Sequence, residues 1–268
     1  MDDVSSIIFE SAQRLLSDLS ERVSAGRPMA DCERADGWRQ IEEMGLPFAL
    51  MSEAQGGLGL SDAEAFELVR ICGRNVVPWP LVDTMLANRF ATQGGAAPAE
   101  GPIDTLGELT AEQKERAALA RAMQMAGALD VILVMTISHV QERSQFGRPL
   151  AKFQAVQHSL AVLAGEVAAG QAAAEHAVAR LARGGAAATL AIGIARARIG
   201  EACSKAAAIA HQLHGAIGYA REHRLHLYTT SLWRWRDEYG TQTWWTRQVG
   251  REVLAAGPDA FWPAVTGA

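Results

Sequence analysis

Three long stretches, from about Ala111 to Glu142, Phe153 to Ala182 and Ala186 to His214, are rich in alanine and separated only by short breaks containing glycine or proline. Alanine is the best helix former, and no part of the chain alternates polar and apolar residues over a sheet-building length. The chain is therefore read as all-α. Small residues at crossing points let helices approach closely. With a fourth stretch from about Gly240 to Ala256, these segments are expected to form an antiparallel four-helix bundle.

The N-terminal part is a second helical block. Ile7, Ile8, Phe9, Ala12, Leu15, Leu16 and Leu19 follow the spacing of one helical face. Trp38, Ile41 and Met44 continue into Gly45-Leu46-Pro47, where a glycine ends a helix and a proline blocks its continuation. The segment SEAQGGLGLS lacks the Lys-Ser or Lys-Thr pair of a phosphate loop and reads as a turn. Ser61 with Glu64 then forms a capping box for a helix to about Cys72. Gln93 to Pro102 holds small residues and two prolines with almost nothing to pack. The expected organisation is an N-terminal helical domain over 1–92, a linker over 93–103 and a C-terminal helical bundle over 104–268.

Charge and composition exclude several classes. With 49% hydrophobic residues a buried core is affordable in size, while a net charge of -5 gives the surface no general attraction for nucleic acid. The acidic start MDDVSSII is unlike a secretory signal, and the apolar run Ala128 to Ile137 is interrupted by Asp130 and too short for a bilayer. A cytoplasmic protein without membrane contact is expected. Cys32, Cys72 and Cys203 are odd in number and far apart, which points to three reduced, partly buried thiols. His211, His214, His223 and His226 have metal-compatible spacing, but no acidic or thiol ligand lies nearby, and no metal is expected. The aromatic-basic WRWR, Trp233 to Arg236, reads as packing at a helix or subunit interface.

Two segments carry chemistry. In ERSQFGRPLAKFQAVQHSLA, local structure alone makes Gly147-Arg148-Pro149 a helix-breaking turn, with Phe146 plugging the core and Arg143 a solvated charge. QLHGAIGYAREHRLHLY puts another amide, two glycines and an aromatic at a second helix end. Arginine and glutamine can hydrogen-bond a phosphate, and glycines let backbone amides approach one.

These residues resemble the acyl-CoA dehydrogenases. Arg143-Ser144-Gln145-Phe146-Gly147-Arg148-Pro149-Leu150, with Phe153-Gln154 and Gln157, is similar to the flavin-contacting motif of that family. Gln212, His214-Gly215, Gly218-Tyr219 and Glu222 resemble its second signature. Trp38, Glu43, Gly45-Leu46, Glu53, Gly56-Gly57, Gly59, Ser61, Gly73-Arg74, Pro78 and Pro80 resemble its first helical domain. Three matches in the same order are far more specific than any one. The resemblance implies FAD as cofactor and oxidation of an acyl-CoA thioester to its 2,3-enoyl form. It assigns Arg143, Gln145, Phe146, Gln212 and Gly215 to flavin dinucleotide contact.

The departures from the family are as informative. The middle β-domain, which covers the flavin ring and much of the acyl chain in relatives, is absent, and the linker stands in its place. Ala216 replaces the glycine usual beside Gly215. The position of the catalytic glutamate falls on Tyr239, with Glu238 one residue early, a rotation of roughly 100° on a helix. The alternative base position falls on Ala117, with Glu115 two residues off. Either a local bulge presents Glu238 as the catalytic base, or the subunit has no base of its own. The expected protein is a small subunit of a heteromeric acyl-CoA dehydrogenase. It pairs with a homologous subunit that carries the β-domain, as an α2β2 tetramer acting on a bulky thioester such as a steroid side chain or a fatty acid. A self-sufficient homo-oligomer using Glu238 and a flavin-free helical scaffold are the alternatives.

Overall fold

The computed structural model describes residues 3–23 and 29–266. Four helices form the N-terminal block: α1 (Asp3–Val23), α2 (Asp31–Glu43), α3 (Asp62–Arg74) and α4 (Leu81–Gln93). Then come α5 (Ala111–Glu142), a hairpin of β1 (Ser144–Gln145) and β2 (Arg148–Pro149), α6 (Gln154–Leu181) and α7 (Gly185–His214), followed by α8 (Leu225–Asp237), α9 (Gln242–Ala256) and α10 (Pro258–Thr266). Among the described residues this two-residue pair is the whole of the β-structure. The chain is all-α and carries no β-domain between its helical blocks.

The three alanine-rich stretches become helices of 32, 28 and 30 residues. Tight connections make α5, α6 and α7 antiparallel neighbours. α9 packs against α7 to complete the four-helix bundle, and α8 lies across α5 and α7. Local chemistry sets the helix starts. Ser61 Oγ accepts from the Glu64 amide at 3.3 Å, while the Ser61 amide donates to the Glu64 carboxylate at 2.9 Å. Thr110 and Gln113 repeat that box at the start of α5, with the Thr110 amide donating to Gln113 Oε1 at 3.0 Å.

The block and the bundle meet where α3 crosses α5, and two glycines allow it. A Cβ on Gly73 would lie 1.9 Å from the Gln124 carbonyl oxygen, and one on Gly127 would lie 2.0 Å from that of Arg70. Only hydrogen fits at either position. Asp130, one turn further, accepts from Arg70 Nη2 at 2.9 Å and Arg74 Nε at 3.1 Å, and bonds Gln171 of α6. The residue that interrupts the apolar run of α5 is thus the electrostatic tie between three helices.

α5 is long and apolar enough to cross a membrane by length and composition, contrary to the expectation drawn from its short central run. Seventy-two percent of that apolar window is buried among neighbouring helices, as in the core of a bundle. Residues 94–110 run back along α4, where the Ala99 amide donates to Asn88 Oδ1 at 2.8 Å and the Ile103 amide to Thr84 Oγ1 at 2.9 Å. Of the cysteines, Cys72 and Cys203 are buried, and Cys32 is exposed at the start of α2.

Candidate functional site

The break after α5 folds as a tight hairpin. Gln145 pairs with Arg148, and both turn residues are left-handed, Phe146 at φ 54° and Gly147 at φ 80°. Two positive φ values are what a two-residue hairpin turn requires, but they are uncommon for a phenylalanine. Phe146 does not plug the core. It is 89% exposed at the hairpin tip, because the turn directs it outward, and only its edge meets Phe153 at 6.2 Å. Arg148 lies over the Phe153 ring at 4.1 Å.

Behind the hairpin, α5 and α7 end side by side around a cleft of about 730 Å³. Arg143, Gln145, Gln212 and Gly215 all line it, although nearly seventy residues separate the two pairs in sequence. Gly215 closes α7 at φ 64°, and a Cβ there would meet nothing within 4 Å. Its glycine is a backbone requirement. Both helices present C-terminal ends, whose carbonyls favour cations. The side chains in the lining that can hydrogen-bond an anion are Arg143, Gln145 and Gln212. Phe146 stands at the hairpin tip outside the lining.

His139 and His214 line the same cleft, with His223 beside them. His139 stacks on His214 with ring centroids 4.4 Å apart, and His223 meets His214 edge-on at 4.8 Å. Burial is the main cause that pushes His139, His214 and His223 below the usual imidazole range, while the hydrogen bond to the Ala210 carbonyl partly offsets it at His214. The sequence groups His211 with His214 and His223 with His226. The structure instead turns His211 away, to stack on Tyr219 at 4.3 Å and face Thr229 Oγ1 at 3.0 Å. His139 was hidden by sequence distance, but it lies four residues before Arg143 and so shares its helix face.

Glu238 sits elsewhere. Arg121, on the α5 that Arg143 caps, bonds the Glu238 carboxylate through Nε at 2.5 Å and the Asp83 carboxylate through Nη2 at 2.6 and 2.7 Å. Burial opposes the charge of Arg121, but Asp83 and Glu238 outweigh it and raise the group's proton affinity. Tyr239 donates to Asp83 Oδ1 at 2.7 Å, and burial pushes its phenol up. Ala117, one helical turn before Arg121, is fully buried. Ala117 and Tyr239, the two positions that the sequence resemblance aligns with a base, thus lie near one ion network, beside a cleft of about 430 Å³ lined by Trp79, Asp83, Arg121, Glu238 and Tyr239. Glu115 faces another way and accepts from Thr189 Oγ1 at 3.1 Å. Arg121 stands 22 residues before Arg143, the residue that caps α5, about 33 Å at the usual rise.

The fold and its clefts define an all-helical protein with an arginine- and glutamine-lined cleft where α5 and α7 end and a separate ion-paired cleft around Arg121. The model of the acyl-CoA dehydrogenase C-terminal domain matches residues 109–253. The acyl-CoA dehydrogenase IpdE2 of Mycobacterium tuberculosis is 29% identical over 255 residues, covering 71% of this chain and 78% of that protein. Among solved structures, the fold is similar to a chain of the ChsE4-ChsE5 complex from Mycobacterium tuberculosis, with a TM-score of 0.77, 16% identity, and coverage of 96% of this chain and 99% of that one. It is also similar to a chain of the Tcur3481-Tcur3483 steroid ACAD, with a TM-score of 0.76, 19% identity, and coverage of 95% and 98%. The chain belongs to the acyl-CoA dehydrogenase family.

Proposed function

We propose that the chain is a non-catalytic subunit of a heteromeric, FAD-dependent acyl-CoA dehydrogenase of the cytoplasm, acting on a bulky acyl-CoA such as one with a steroid side chain. One observation carries the reading. The residues assigned to flavin contact gather where α5 ends, whereas the nearest candidate for a base, Glu238, is held by Arg121, 22 residues before Arg143 and about 33 Å from it at the usual rise, and no β-domain stands between the helical blocks to cover a flavin ring. One chain therefore offers half of a site. FAD fits the cleft at the end of α5 and α7. It has Arg143, Gln145 and Gln212 as hydrogen-bonding groups, the exposed ring of Phe146 above them, and open space over Gly215 for phosphate to reach backbone amides. When bound, FAD supplies acceptance of the β hydrogen as hydride. Removal of the α proton and enclosure of the thioester fall to the partner, a homologous subunit with a β-domain, in an α2β2 tetramer. That the solved relatives include two-component assemblies supports this reading.

The test is to purify the chain alone and with such a partner, recording visible spectrum and native mass. Flavin absorbance only in the mixed complex is expected. Stoichiometric flavin and turnover by the chain alone overturn the reading in favour of a self-sufficient homo-oligomer, and a colourless complex favours a flavin-free scaffold.

A further inference from the structure

Three imidazoles meet beside the cleft from elements far apart in sequence, two of them in its lining. His139 comes from the last turn of α5, His214 from the last residue of α7, and His223 from the turn before α8. One nitrogen of each lies within 4.8 Å of the other two. His214 is the anchor. Its Nδ1 faces the Ala210 carbonyl oxygen at 2.8 Å, and since a carbonyl only accepts, that nitrogen carries the ring proton and Nε2 a bare lone pair. Nε2 is buried without a hydrogen-bond partner, in a residue only 5% exposed. A ring donating backwards to a carbonyl while its other nitrogen stays bare is how proteins orient a metal-binding histidine.

We propose that His139, His214 and His223 bind one divalent transition-metal ion of the Zn²⁺ type, with a further coordination position open to the cleft. Imidazole donors suit Zn²⁺, Co²⁺, Ni²⁺ or Cu²⁺ rather than Ca²⁺ or Mg²⁺. Three imidazoles make the protein part of an open tetrahedral site whose fourth place is left for water or another ligand. His139 and His214 also line the cleft, so an entering phosphate oxygen can take that place. Capture requires the nitrogens to draw in to about 3.3 Å, as metal–nitrogen bonds of about 2.0–2.1 Å demand. The half-exposed His139 tilts out of its stack, and His223 turns to release the Leu225 amide that Nδ1 now accepts at 3.2 Å. The ion staples α5, α7 and the turn before α8. This inference stands on the imidazole geometry and is independent of the flavin reading.

Tag-free chain, stripped with chelator and free of flavin, is titrated with CoCl₂ and ZnCl₂, followed by calorimetry and visible absorption. One saturating equivalent is expected, with the intense bands of four-coordinate Co²⁺ bleached by Zn²⁺. His139→Gln and His223→Gln, at partly exposed positions, lower the affinity at least about tenfold, while His158→Gln on the exposed face of α6 changes nothing. Absence of saturable binding, or one equivalent that survives both variants, overturns the site.

Discussion

Arg121 Nε lies 2.5 Å from Glu238 Oε2, so the carboxylate nearest the family's base position serves as counter-ion to a buried arginine. That carboxylate is taken up in an ion pair shared with Asp83 instead of being free to reach a substrate. Glu238→Gln in the assembled enzyme is therefore expected to leave kcat within about threefold while lowering Tm, since loss of a general base costs about 10²–10⁴. A hundredfold fall at unchanged Tm would make Glu238 the base.

Arg196 provides the second prediction. Its Nη2 donates to the carbonyls of Arg236, Glu238 and Gly240 at 3.0, 2.8 and 2.9 Å, closing the C-terminal end of α8 from inside the bundle. Burial pushes its guanidinium down to about 10, so it stays charged at neutral pH, opposite the negative end of a helix. Arg196→Met removes the donor and strands those carbonyls. The expected loss is about 3 kcal/mol, read by urea denaturation of the isolated chain. A loss below about 1 kcal/mol would mean water replaces the guanidinium.

The α3–α5 crossing gives a third. Because a Cβ on Gly127 would sit 2.0 Å from a backbone oxygen, which no rotamer change relieves, Gly127→Ala has to force the helices apart. Overpacking of this kind costs about 1–3 kcal/mol or more. Gly250→Ala, where a Cβ meets nothing within 4 Å, is the control and is expected to be neutral or stabilising. Equal Tm values for the two variants would refute a tight crossing.

Helix existence was legible because alanine-rich stretches such as Ala111 to Glu142 carry their preference locally. What depends on tertiary packing was not. Two-residue strands are too short to show alternation, so the Gln145–Arg148 pair read only as a break. Asp83, Arg121 and Glu238 are single charges in separate segments, and each alone looks like a solvated face. Phe146 followed the general rule that aromatics go inside, and left-handed turn geometry overrode that rule. Arg143, Gln145, Gln212 and Gly215 could be named from motif resemblance, but their sharing of one cleft with His139 required the fold.

Phe146 supports a prediction with two readouts of opposite sign. Among the described residues, a phenylalanine at φ 54° and 89% exposure gains only the edge-on contact with Phe153 within this chain. Asparagine tolerates left-handed backbone better, so Phe146→Asn is expected to leave the isolated chain as stable or up to about 1 kcal/mol more stable. If the ring instead covers FAD shared with the partner, the same change removes a stacking contact of about 1–3 kcal/mol. The mixed complex should then release flavin about tenfold or more readily on dilution, as fluorescence of the freed cofactor would report. Arg143→Ala is the companion variant. It removes a charge-assisted hydrogen bond of about 1.5–3 kcal/mol and should weaken flavin retention by a similar or larger factor. Unchanged retention in both variants, with the complex intact by native mass, would take the flavin away from this cleft.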